Sequence, residues 1–141
     1  METQDRLDLQ EEFKHCDIFT VENKPVLIIK ATDTYIPIEE FQKVFLRAAE
    51  LIKEHQIKKV IFDKRRMSVF HQPSMEWYYK EWKESLLPYG MHVHRKLLPE
   101  DKVFRKSVEL GKAKIKEKYP QLKVNEMDIR YFEDMQEAID N

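Results

Sequence analysis

The chain reads as an α/β domain with a mixed, mostly parallel sheet of about five strands, an N-terminal β-hairpin and about four helices. Three observations predict this. Lys58-Lys59-Val60-Ile61-Phe62-Asp63 is a short apolar run entered from a polar turn and left through an acid, the pattern of a buried central strand. Before it, two β-rich runs flank Asn23-Lys24-Pro25, a hairpin signature. After it, apolar residues at helical spacing alternate with short strand-like runs, and such alternation implies parallel pairing through crossovers.

In chain order, residues 1–16 carry Leu7, Leu9 and Phe13 among acids and read as an N-terminal arm ahead of a domain spanning 17–141. Asp17–Glu22 is half polar, as an edge strand should be, and Val26–Thr32 is more apolar, as an inner strand should be. A helix opens near Pro37, with Glu39 and Glu40 at its positive end. Phe41, Val44, Phe45, Ala48 and Ile52 form its inward stripe, and His55-Gln56 ends it. The central strand follows, then an irregular connection from Lys64 to Ser74. A second helix, Ser74–Leu87, carries Met75, Tyr78, Tyr79, Trp82 and Leu86 on one stripe and stops at Pro88-Tyr89-Gly90. Met91–Leu98 reads as a strand whose two histidines and Arg95 place it toward the sheet edge or give it one wet face. Pro99-Glu100-Asp101 begins a third helix closed by Pro120. Asp128–Phe132 is a last strand, and Met135, Ala138 and Ile139 mark a terminal helix.

Composition narrows the function classes. The 141 residues suffice for one self-sufficient core. Charged residues are abundant but cancel to a net charge of -1, so the global field that attracts nucleic acid is absent. One cysteine, Cys16, cannot form an intrachain disulfide and suits a reducing cytoplasm. The acidic, polar start has no signal-peptide h-region, and no apolar run approaches the ~20 residues of an integral membrane segment. With two glycines in the chain, neither the dinucleotide fingerprint nor the phosphate loop can be written. No cofactor is expected.

The connection after the central strand holds the candidate site. Ligands and partners of open α/β sheets sit outside the carboxyl ends of the strands. Lys64, Arg65 and Arg66 emerge there, beside the start of a helix, so they are a candidate anion site or else a solvated charge run. Phe70 and Met67 either seal the sheet end or make a docking surface. His71 and Ser74 complete the loop. Trp77 lies about 100° around the helix from Tyr78, so one large ring leaves the stripe. Either it lies beneath the preceding loop, or it marks a homodimer or protein-partner surface. His92 and His94 share one strand face, but a zinc site needs further ligands and no CxxC or HExxH pattern supplies them. Asp63, His71 and Ser74 make a triad only on paper, with no nucleophile elbow and no glycine-lined oxyanion site. The expectation is therefore no enzyme and no metal.

The hairpin, Val60-Ile61-Phe62-Asp63 with its loop and helix, and the ending Ile129-Arg130-Tyr131-Phe132-Glu133-Asp134-Met135-Gln136-Glu137-Ala138 together resemble the STAS domains, in their SpoIIAA-like branch. The resemblance covers roughly 17–141 and implies the fold of anti-sigma-factor antagonists. Those antagonists carry an Asp-Ser-Ser-Gly-like turn at the start of the helix after the central strand, where a partner kinase phosphorylates one serine. The matching place here is His71-Gln72-Pro73-Ser74, without the glycine or the serine doublet. Ser74 thus stands as a possible phosphorylation site, although a lone serine before a helix also serves as an N-cap. Members lacking the motif resemble the CRAL-TRIO lipid-binding fold, which implies small apolar ligands or membrane-surface partners. Taken together, the expectation is a cytoplasmic, non-enzymatic regulatory interaction module. It would bind a protein partner or a second copy through Lys64, Arg65, Arg66, Phe70, His71, Ser74 and Trp77. The alternative is a carrier or sensor of a small apolar or anionic ligand.

Overall fold

The computed structural model describes residues 3–141. It is α/β, with a six-stranded mixed sheet in the order β1-β2-β3-β4-β5-β6. The strands are β1 (Leu7–Glu12), β2 (Cys16–Val21), β3 (Val26–Ala31), β4 (Lys59–Asp63), β5 (Val93–Leu97) and β6 (Asp128–Phe132). The first two pairings are antiparallel and the next three are parallel. Helix α1 is Ile38–His55 and joins β3 to β4. Helix α2 joins β4 to β5 and is composite. It starts as an α-helical segment Gln72–Trp77, widens into a π-helical segment Tyr78–Lys83, and returns to α at Glu84–Leu86. Helix α3, Lys102–Lys118, joins β5 to β6, and α4, Met135–Asp140, ends the chain.

The expected β2–β3 hairpin forms, with Asn23 in the left-handed region at its turn. The arm expected before residue 17 is instead largely a strand. Leu7–Glu12 pairs along β2, with a bulge between Leu9 and Glu11. The segment is too acidic and too poor in β-branched residues to announce itself. Its partner strand supplies the order, because β2 would otherwise present a row of unpaired backbone groups.

Two apolar layers sandwich the sheet. On one face Leu27, Ile29, Val60 and Phe62 meet Phe41, Val44, Phe45 and Ile52 of α1, Met75, Tyr78, Tyr79 and Trp82 of α2, and Phe104, Val108 and Ile115 of α3. On the other face Val26, Ile28, Ile61 and Leu97 meet Met135, Ala138 and Ile139 of α4. Lys59 Nζ donates to the carbonyls of Ala138 and Ile139 at 3.1 and 2.6 Å, and so caps α4 against the sheet. The alternation along β4, with Val60 and Phe62 to one side and Ile61 to the other, confirms the central strand read from sequence.

Strand β5 departs from expectation. It lies between β4 and β6, and His94, Arg95 and Lys96 are all essentially inaccessible. Arg95 faces the α4 side, where it binds the Asp128 carboxylate at 3.1 Å and the Asn141 carbonyl at 2.6 Å. His94 and Lys96 face the α1–α2–α3 layer, and their partners form the most unusual part of the molecule.

Candidate functional site

The loop after β4 does not gather its three basic residues into one patch. Asp63, 2% exposed, accepts from the Arg65 backbone N–H at 3.0 Å and from its guanidinium at 2.9 and 2.8 Å. Arg65 is thereby folded back onto the strand end in a two-pronged pair. Arg66 points to solvent. Lys64 turns inward, with its amine 4.9 Å from the Phe62 ring centre. Phe70 packs edge-on to Phe104 and is half-buried. Trp77 is also half-buried and meets Phe41 edge-on, so it lies on the core and not out in solvent.

The N-cap position of α2 is held by His71, not Ser74, and among the described residues no side chain caps the helix there. Ser74 is 6% exposed, and its hydroxyl lies 2.8 Å from His71 Nδ1. In this structure the residue is therefore nearly inaccessible. Lys64, Phe70, His71 and Ser74 do converge, around a cavity of about 30 Å³ that also touches Tyr35, Met67 and Tyr78. Such a space suits about one water molecule and no organic ligand.

Behind that cavity lies a closely packed cluster of buried amines, and among the described residues no cavity reaches Lys83 or Lys96. Lys83 of α2 is wholly inaccessible, with its Nζ 3.7 Å from the Tyr79 ring centre and 4.5 Å from that of Tyr78. Lys96 of β5 is equally buried and donates to the Tyr79 hydroxyl. Beside it, His94 Nδ1 lies 3.0 Å from the Val60 carbonyl, so that nitrogen carries the proton. The other ring nitrogen, Nε2, then accepts from the Tyr78 hydroxyl at 2.6 Å. Lys112 of α3 borders the cluster, 5.5 Å from the Tyr131 ring centre, and Lys96 lies 5.9 Å from the same ring.

Among the described residues, no carboxylate pairs with Lys64, Lys83, Lys96 or Lys112. Among the described residues Lys83 Nζ has no hydrogen-bond partner. Burial therefore dominates the charge states. It pushes the Lys83 and Lys96 amines well below the ordinary lysine range, and neighbouring Lys64 and Lys112 push the same way. Lys64 comes down to about 8, first from burial and then from Lys112, so it remains largely an ammonium at neutral pH. Burial pushes the His94 imidazole well below its ordinary range, so it is held neutral. Burial pushes the Tyr78 and Tyr79 hydroxyls up, so both stay protonated donors.

The π-helical segment creates this arrangement. In a regular α-helix Lys83 would lie about 140° around the axis from Tyr78, on the flank of the apolar stripe. A wider turn brings residues five apart onto one face, and Tyr78, Tyr79, Trp82 and Lys83 all point inward. Such segments recur at functional sites. Two open spaces border the outer members of the cluster, Lys112 with Tyr131 and Lys112 with Tyr79. One of about 500 Å³ runs between α3 and β6, lined by Val108, Lys112, Ala113, Lys116, Tyr131 and Phe132 among others. A second of about 150 Å³ is lined by Tyr79, Lys112, Ile115, Lys116, Met127 and Ile129 among others. Lys112 and Lys116 line both.

No family model, curated protein or solved structure matches this chain. Among the described residues no cluster of three or more His, Cys, Asp or Glu side chains is placed to hold a metal, and no helix is long and apolar enough to cross a membrane. Sequence reasoning named Lys64 but missed Lys83, Lys96 and Lys112. The available signal was His94-Arg95-Lys96 inside an otherwise strand-like run. Three consecutive polar residues in a strand between two others must be satisfied by something inside.

Proposed function

We propose that this protein is a non-enzymatic regulatory binding module, of the STAS/SpoIIAA-like type its sequence resembles, that senses a small anionic ligand. The single observation behind the reading is the cluster of buried amines with no carboxylate partner among the described residues. Buried charges are ordinarily paired or neutralised. An entering carboxylate or phosphate would supply the missing partner, and the Lys64 ammonium would meet it first. The apolar walls and aromatic faces around those amines suit a ligand pocket, where a few placed polar groups fix orientation.

Lys64 links the cluster to the outer loop, because it is both the first residue after β4 and a member of the amine group. Occupancy would therefore bear on the segment from Lys64 to Ser74. Its outward residues, Arg66 and Val69, with Tyr35 alongside, form the surface we assign to a protein partner.

Calorimetric unfolding with inorganic phosphate, acetate or pyruvate, against sodium chloride at matched ionic strength, tests the reading. A ligand at about 100 times its Kd adds about 2.7 kcal/mol of stability. The expected outcome is a rise in Tm for at least one of these anions that Lys64→Met reduces. Equal Tm values in all four salts would refute it.

A further inference from the structure

We propose that Lys83 is a carbonyl-capturing amine that forms an imine with a small 2-oxo acid. This rests on the anion-sensing reading and names the ligand class for the same cluster. The starting observation is the state of Lys83 Nζ: fully buried, without a hydrogen-bond partner among the described residues, and held against two tyrosine rings. An amine that donates to nothing and meets no carboxylate is free to use its lone pair. Lysines become nucleophiles when they are desolvated or set beside other cationic groups, and Lys83 has both conditions.

The neighbours divide the work. Lys64 and Lys112 supply positive charge for the ligand's carboxylate. Tyr78 and Tyr79 hold protonated hydroxyls, and His94, Lys96 and Tyr131 complete the titratable groups around the cluster. Lys83 supplies the neutral amine. A carboxylate beside a ketone carbonyl fits this pairing of ammonium and free amine, whereas a neutral aldehyde would leave the ammonium groups unanswered.

The chemistry balances without an oxidant or reductant. The Nζ lone pair forms a bond to the carbonyl carbon, and the carbonyl π pair moves to oxygen. One N–H proton passes to that oxygen and gives the carbinolamine. The hydroxyl then leaves with the second N–H proton as water, and the nitrogen lone pair closes the C=N bond. Lys83 itself lines no cavity among the described residues; a space of about 150 Å³ is lined by Tyr79 and Lys112, and a space of that size takes a molecule as large as benzene. The Tyr79 ring stands between this space and the amine, so capture requires Tyr79 to turn aside.

The test treats the full-length protein at neutral pH with pyruvate and sodium cyanoborohydride, which reduces an imine to a stable secondary amine, followed by peptide mapping by mass spectrometry. The expected result is an adduct at Lys83 in clear excess over the adduct at any surface lysine. All sites are compared within one protein, so the result does not depend on a variant folding. Acetone in place of pyruvate should label Lys83 more slowly, and Lys83→Arg should remove the adduct. No adduct at Lys83, or labelling spread evenly over surface lysines, overturns the proposal. If pyruvate or phosphate still raises Tm in that case, anion sensing stands and only the imine fails. If neither anion raises Tm, both fail.

Discussion

Replacing Lys83 by methionine should stabilise the protein. A buried donor without a partner costs roughly 1–3 kcal/mol, and Lys83 Nζ is such a donor. Methionine keeps the unbranched shape and sets a thioether against the Tyr78 and Tyr79 rings, contacts worth ~0.3–1.5 kcal/mol. The expected gain at neutral pH is about 2–3 kcal/mol, which for a domain of this size raises Tm by roughly 6–10 °C. The pH dependence has a definite sign. The unfolded lysine stays protonated up to its ordinary 10.5, whereas the folded amine sits well below that value. Between those two values the unfolded state holds the extra proton, so wild-type stability rises with pH at about 1.4 kcal/mol per pH unit for this amine. Lys96 contributes the same slope, and Lys64 joins it above about 8. Urea titrations between pH 7 and 9 measure both effects, below the range where unfolded tyrosines begin to ionise. Lys83→Met should be more stable at pH 7 and should show a shallower slope. A variant that is less stable at pH 7 with the wild-type slope would refute the claim that this amine is neutral and unpartnered.

Three further outcomes follow from packing and capping. Gly111→Ala in α3 would place a Cβ 2.7 Å from Phe70 Cζ and against Gln72 Oε1. The usual helix gain of about 1 kcal/mol should be overcome by overpacking of ~1–3 kcal/mol, giving a net loss in chemical denaturation. Asp101 caps α3 by accepting from the Val103 and Phe104 backbone N–H groups, so Asp101→Ala should cost about 1 kcal/mol in the same assay. At Ser74, Ser74→Ala should cost about 1 kcal/mol or less, whereas Ser74→Asp buries a charge beneath the loop and should cost at least ~2 kcal/mol by thermal unfolding. Equal stability of those two variants would mean that the hydroxyl is open to solvent, and would restore Ser74 as a modification site.

Much of the scaffold was legible because burial leaves a periodic trace. Val60, Ile61, Phe62 and their neighbours announced a central strand, and the stripe Phe41, Val44, Phe45, Ala48 and Ile52 announced α1. Strand β1 was not legible, since its pairing comes from the open edge of β2 and not from its own residues. The site was half legible. Being in a loop after a central strand pointed to Lys64, Phe70, His71 and Ser74, which do converge. The same position suggested a shared role for Arg65 and Arg66, but Asp63 claims one and solvent the other.

The sequence by itself determined the α/β class, the hairpin, the strand at Val60–Asp63 and the loop that leaves it, because each depends on local period and local turn chemistry. Only the tertiary structure decided that Lys83 and Lys96 lie inside. A lysine's preference is for water, and no local pattern overrides it. It took a π-helical turn at Tyr78–Lys83 and a strand held between two others to bring these amines onto the same pair of tyrosines.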